Sequence, residues 1–227
     1  MKYNMAEALM PWVLMLAALC AVLYLLGFCY RATSGRKTIV KTTSVAALAV
    51  VTLLVQTPIW LSIALIFCAL GDYYLSRKDQ ANFLKGVGAF AVGHLFFIVL
   101  FLQDPLSELT RIGQTTQLAA LLFLVVMSLI MLGRLWPRTG DLRHAVAGYI
   151  CIITGMGIAV ATLPWQGNYI YIIGGAVLFI LSDLVLSTEV FILPADSRLR
   201  KITPFVVWSF YWTAQFLITA GFVLRGI

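Results

Sequence analysis

Apolar runs follow one another along this chain, broken by short polar connections in which Lys and Arg collect. A helix that crosses a bilayer needs roughly 20 predominantly apolar residues. Eight stretches meet or approach that length, near residues 9–30, 42–57, 58–76, 82–103, 114–135, 144–163, 168–189 and 203–224. The second is short and is split from the third mainly by Gln56, Thr57 and Pro58. The first is too long for a signal-peptide core and lacks a small-residue cleavage site after it, so it reads as a retained helix. The pattern predicts an all-α, polytopic membrane bundle of eight transmembrane helices, with residues 1–227 forming a single integral-membrane domain.

Composition agrees. Of 227 residues, 62% are hydrophobic and 11% charged, with a mean hydropathy of +0.97. A soluble domain of this size cannot hide so much apolar surface. The connections are short, so neighbouring helices are expected to pack antiparallel. Gly86, Gly88, Gly93, Gly155, Gly157, Gly174 and Gly175 are expected to let helix backbones approach closely.

The net charge of +7 raises the question of nucleic acid, but its placement points to a membrane. When Lys and Arg are assigned to alternate connections, 13 of the 16 fall on one side, leaving Lys2, Arg111 and Arg225 on the other. The positive-inside rule then places both termini outside and the four basic connections in the cytoplasm. Anionic headgroups of the inner leaflet are their natural partners, with no role for nucleic acid. The expected location is a bacterial inner membrane, although an endoplasmic reticulum membrane suits the same charges. Cys20, Cys29, Cys68 and Cys151 all fall in apolar spans without CxxC spacing, and read as small core residues.

Few span residues are ionisable, so each needs an account. "LGDYYLSRK" at 70–78 and "LSDLVLSTE" at 181–189 nearly repeat one another, which places Asp72 and Asp183 in matching local settings and hints at an internal repeat. Alternating topology brings Lys41, Asp72, Tyr149, Asp183 and Tyr211 into the inner half of the bilayer at similar depth, with His94 and Gln215 a turn or two deeper. Each has an ordinary alternative: an interfacial ion pair for an Asp, snorkelling for Lys41, a helix–helix hydrogen bond for His94, an aromatic belt for the tyrosines. Two carboxyls that share one proton supply an acid and a base together, which suits general acid–base hydrolysis through an oxocarbenium-like transition state. Metal chemistry is not expected, because His94 and His144 are the only histidines. Neither a nucleophilic-serine elbow nor a glycine-rich phosphate loop occurs, and no cofactor is expected.

These residues carry a resemblance. Lys41 opening the second span, "GDYYL" at 71–75, "GAFAVGH" at 88–94, Tyr149, "SDLVL" at 182–186 and "YWTAQ" at 211–215 together resemble the YhhN family of membrane proteins over essentially the whole chain. One departure is Lys41-Thr42, where family members often have Lys-Pro. The resemblance implies a lysoplasmalogenase, which hydrolyses the vinyl ether of a lysoplasmalogen to a fatty aldehyde and glycerophosphoethanolamine or glycerophosphocholine. On that reading Asp72 and Asp183 are the catalytic pair, one protonated as acid, the other ionised to stabilise the cation and activate water. His94, Tyr149, Tyr211 and Gln215 orient the pair or the water, and Lys41 meets the substrate phosphate. The alternative is a proton-coupled transporter or lipid-handling protein, since intramembrane carboxylates and a hinted repeat suit transport as well.

Overall fold

A computed structural model describes residues 5–77 and 79–225; Lys2 and Lys78 of the charge count lie outside them. Eight α-helices run through the described residues: α1 (Met5–Leu23), α2 (Gly35–Leu54), α3 (Ile59–Leu75), α4 (Gln80–Leu102), α5 (Thr115–Leu135), α6 (Arg143–Ala161), α7 (Tyr169–Phe191) and α8 (Thr203–Val223). No strand occurs among them. Seven helical segments are long and apolar enough to cross a membrane, and the apolar α3, at 17 residues, is shorter. The protein is a polytopic helical bundle, as the apolar runs predict.

Helix starts follow capping chemistry more than hydropathy. The Ser34 hydroxyl accepts from the backbone N–H of Lys37 at 3.2 Å, so α2 begins at Gly35 and its polar first turn is helical. The expected start at residue 42 is therefore several residues late, and Lys41 does not open the span but lies at the end of its second turn. The Lys37 ammonium donates to the carbonyls of Cys29 and Arg31 at 3.2 and 2.8 Å, tying down the π-helical extension of α1 at Tyr24–Phe28. Asp79 caps α4: its carboxylate accepts from the side-chain amide and the backbone N–H of Asn82, and these bonds hold it below the ordinary carboxylate range.

The closest helix pairs are α3 with α4 and α7 with α8, while α5 packs chiefly on α6 at the edge of the bundle. Phe97, Phe101, Phe179, Leu65, Ile172 and Ile218 are fully buried at the centre. Glycine makes the close approaches possible. A Cβ on Gly93 would stand 2.9 Å from Cys68 Sγ and 3.2 Å from the carbonyl of Ala64, and one on Gly175 would stand 2.8 Å from the carbonyl of Ala214. Gly86, Gly155 and Gly157 likewise meet neighbouring side chains, whereas Gly88 and Gly174 face open space, contrary to expectation. Gly175→Ala should accordingly cost about 1–3 kcal/mol, the range for overpacking against atoms that cannot yield. Gly174→Ala, its neighbour on the open face, should not destabilise, and thermal unfolding of both variants in detergent checks the contrast. Cys20, Cys29 and Cys68 are buried, but Cys151 is exposed on the surface of α6, so only three of the four cysteines are core residues.

Candidate active site

The basic connections, following α1, α3, α5 and α7, share one end of the bundle, and the ionisable residues of the spans converge on the half nearest that end. They form two separate networks. In the first, Asp72 of α3 is buried, with Lys41 Nζ of α2 at 2.8 Å from its Oδ1, close enough for an ion pair though not aligned as a hydrogen bond. Its Oδ2 accepts from the Tyr211 hydroxyl of α8 at 2.8 Å. In the second, Asp183 Oδ2 of α7 accepts from the Tyr149 hydroxyl of α6 at 3.1 Å, and His94 Nε2 of α4 stands 3.5 Å from the same oxygen.

The partners are arranged reciprocally. Each aspartate takes one partner from the helix before its own, Lys41 for Asp72 and Tyr149 for Asp183. Each takes the second from the helix that follows the other aspartate, Tyr211 for Asp72 and His94 for Asp183. The α3–α4 and α7–α8 pairs thus cross-brace one another, which gives the near-repeat of the two sequence stretches a structural counterpart. The distances of the two aspartates from their helix ends differ, however. Asp72 lies three residues from the end of α3 and Asp183 eight residues from the end of α7, or about 4.5 and 12 Å along the helix axes.

His94 has a defined tautomer. Its Nδ1 lies 2.7 Å from the carbonyl of Phe90. A carbonyl oxygen only accepts, so Nδ1 carries a hydrogen and a neutral ring presents the bare Nε2 to Asp183. Phe179 sits between the two networks, its ring centroid 4.4 Å from His94 and 5.4 Å from Tyr211, with Phe90 at 5.6 Å from Tyr211. No hydrogen bond joins the two carboxyls.

A groove of about 1030 Å³, its open side included, runs among α4, α5, α6 and α7. Its walls are almost wholly apolar. Of the residues singled out from sequence, Asp183 and Tyr149 line it, while Asp72, Lys41, Tyr211, His94 and Gln215 do not. Asp183 keeps 11% of its side chain exposed and Asp72 only 1%. Lys41, expected at the substrate phosphate, is committed to Asp72, with its ammonium 5.7 Å from the ring of Trp208 and 5.9 Å from that of Tyr24. Gln215, fully buried one turn beyond Tyr211, makes no hydrogen bond through either amide atom.

Sequence reasoning missed the Phe90–Phe179 partition and the Tyr24–Trp208 wall, because an aromatic residue in an apolar run carries no signal that separates it from its neighbours. Trp208, three residues before Tyr211, was accessible from helical spacing; its indole N–H donates to the carbonyl of Ala21 at 3.1 Å. Also missed was a polar clasp at the opposite end of the bundle. There the buried Asp104 accepts from the Tyr169 hydroxyl at 2.7 Å and pairs with Arg225 at 2.5 Å, joining α4, α7 and the end of α8.

Comparison with known proteins gives a consistent picture. The YhhN family matches residues 36–222. The chain is similar to the lysoplasmalogenase TMEM86A of Bos taurus, 30% identical over 168 residues that make up 71% of this chain and 64% of that protein. It is similar to the human TMEM86A lysoplasmalogenase, at 28% identity with the same coverage, and to a lysoplasmalogenase of Mycobacterium bovis, 33% identical over 72% of this chain and 60% of that one. The match thus spans less than two thirds of the length of these relatives. No solved structure matches.

Proposed function

The chain belongs to the YhhN family, and on that footing we propose that it is a lysoplasmalogenase, with Asp183 as the acid that reaches the lipid. The observation that carries this reading is the single carboxyl set in the wall of an apolar groove, hydrogen-bonded to Tyr149 and 3.5 Å from Nε2 of His94. One proton held between Asp183 and His94 satisfies both groups, and the 3.5 Å separation leaves room for it to be handed on; such contacts commonly tighten only when substrate binds.

The chemistry then runs as follows. Asp183 gives its proton to the β-carbon of the vinyl ether. The π electrons form the new C–H bond, and the ether oxygen's lone pair makes an oxocarbenium ion at the α-carbon. The Asp183 carboxylate left behind stabilises that cation and takes a proton from the water that adds to it. The hemiacetal then collapses: both electrons of the C–O bond go to the glycerol oxygen, which takes the proton from Asp183, the hemiacetal hydroxyl gives its proton to the Asp183 carboxylate as its O–H electrons form the C=O bond, and the aldehyde and alcohol are released with Asp183 protonated again. Asp72 is the ionised member of the pair. It is fixed by Lys41 and Tyr211 and, through Tyr211 and Phe179, holds the wall on which His94 rests. The basic end faces the cytoplasm by the positive-inside rule, so a single-chain ether lipid of the inner leaflet meets the groove directly.

The purified protein in detergent, with chelator present, should release fatty aldehyde from a lysoplasmalogen. Detergent abolishes any gradient, so turnover there excludes a transport coupling as the source of the signal. A folded protein that releases no aldehyde overturns the proposal.

A further inference from the structure

The groove ends abruptly. Its innermost lining residues are Phe90, Leu124, Ile153 and Ile180. Phe90 and Ile153 lie ten residues into α4 and α6, and Leu124 and Ile180 lie eleven residues before the ends of α5 and α7. All four therefore stand about 15–17 Å from the basic end, near the middle of a hydrocarbon layer about 30 Å thick. The floor closes because Leu124 and Ile180 converge on Gly157, where a Cβ would stand 2.3 Å from Leu124 Cδ2 and 3.3 Å from Ile180 Cδ1. Ile180 is only three residues from Asp183, about 4.5 Å along the axis. A long hydrocarbon chain whose first carbons react at Asp183 has no room to continue straight inward.

There is room sideways. Helix α5 packs on α6 and makes no comparable packing with α4 or α7. From the closed point at Gly157 toward the basic end, α5 and α7 face each other across the groove, Met127 and Met131 on one side and Leu184 and Ser187 on the other. Beside these, Ile130 on α5 and Leu181 and Val190 on α7 are exposed apolar residues, so both lips of the slot face the bilayer. Methionine suits such a wall, because its unbranched, flexible side chain conforms to an irregular apolar ligand.

Resting on the hydrolase reading above, we propose that the slot between α5 and α7 is the binding site for the substrate's hydrocarbon chain, and that the chain bends at the floor and passes through it into the bilayer. Chain length beyond the first few carbons is then not read by the protein. A closed pocket, by contrast, discriminates by about tenfold or more for one methylene.

Two arms test this. In the first, a saturated single-chain ether lipid with a diazirine at mid-chain, which has no vinyl ether to cleave, is photolysed with the protein in nanodiscs. Labelling is expected on α5 and α7 around Met127, Met131 and Leu184, and excess unlabelled saturated ether lipid should compete it away. Label confined to other helices, or label on the slot that competition does not reduce, overturns the proposal. In the second, kcat/KM is compared for two lysoplasmalogens, one whose chain ends before the slot and one a few methylenes longer that enters it. The parent should treat them alike within about threefold, well under the discrimination of a closed pocket. Met127→Trp and Met131→Trp, which narrow the slot, should lower the long-to-short ratio at least about tenfold. A steep length dependence in the parent, or an equal loss for both chains in the variants, refutes it. If the parent turns over neither lipid, the hydrolase reading has failed, and the photolabelling arm still decides the slot.

Discussion

Asp183→Asn should abolish most aldehyde release, lowering kcat by about 10²–10⁴-fold, the range that general acid–base catalysis contributes. The amide keeps the shape of the carboxyl, and its oxygen still accepts from the Tyr149 hydroxyl, so the fold and the groove persist. What it lacks is a proton that can leave for carbon. KM should therefore change little while kcat collapses, which separates a lost transition-state interaction from a lost binding contact. Tyr149→Phe, which removes one hydrogen bond to the same oxygen, should cost far less, on the order of tenfold, about 1.4 kcal/mol. Steady-state kinetics on the three proteins, with circular dichroism to confirm folding, reads the comparison. An Asp183→Asn enzyme within a few-fold of the parent would remove Asp183 from the chemistry.

The different settings of the two aspartates illustrate what the sequence holds and what it does not. Lipid imposes length and hydropathy on every span, so the helices could be located and Asp72 and Asp183 marked as costly residues that demand an explanation. The near-identity of their local sequences suggested a carboxyl pair sharing one proton. The structure gives each carboxyl partners of its own. A local stretch says nothing about which distant helix faces it, and here Tyr211 comes 139 residues away in sequence and His94 arrives from the opposite helix pair. Those facings follow from backbone contacts at glycines such as Gly93 and Gly175, and a glycine that touches a neighbour reads the same as Gly88 or Gly174, which touches none. The start of α2 was misplaced for a related reason. Hydropathy sees the end of the apolar run, whereas the helix starts at Ser34, whose cap lets a polar turn extend into the interface and sets Lys41 opposite Asp72.

Lys41→Met should be the most destabilising single substitution in the inner half of the bundle. It leaves the Asp72 carboxylate, whose side chain is 1% exposed, with a charge and no countercharge. Breaking a buried ion pair from one side costs about 3–5 kcal/mol, because the surviving charge can neither be solvated nor paired. Asp72→Asn alone strands the Lys41 ammonium less severely, since that side chain is 15% exposed and rests against Trp208 and Tyr24. The double variant Lys41→Met/Asp72→Asn removes both charges together and should recover most of the stability, because replacing a whole buried pair by neutral groups of similar size is often neutral. Thermal unfolding of the four proteins in one detergent closes the cycle, and a coupling energy near zero would show that the pair is not an interacting unit. Activity then separates structure from chemistry. If the Asp72 charge served only to hold the bundle together, the stable double variant would turn over like the parent. The amide oxygen of Asp72→Asn still accepts from the Tyr211 hydroxyl, so the ring wall on which His94 rests persists and the double variant should turn over like the parent; a folded double variant that binds lipid normally but loses kcat would give the Asp72 charge a direct part in the chemistry.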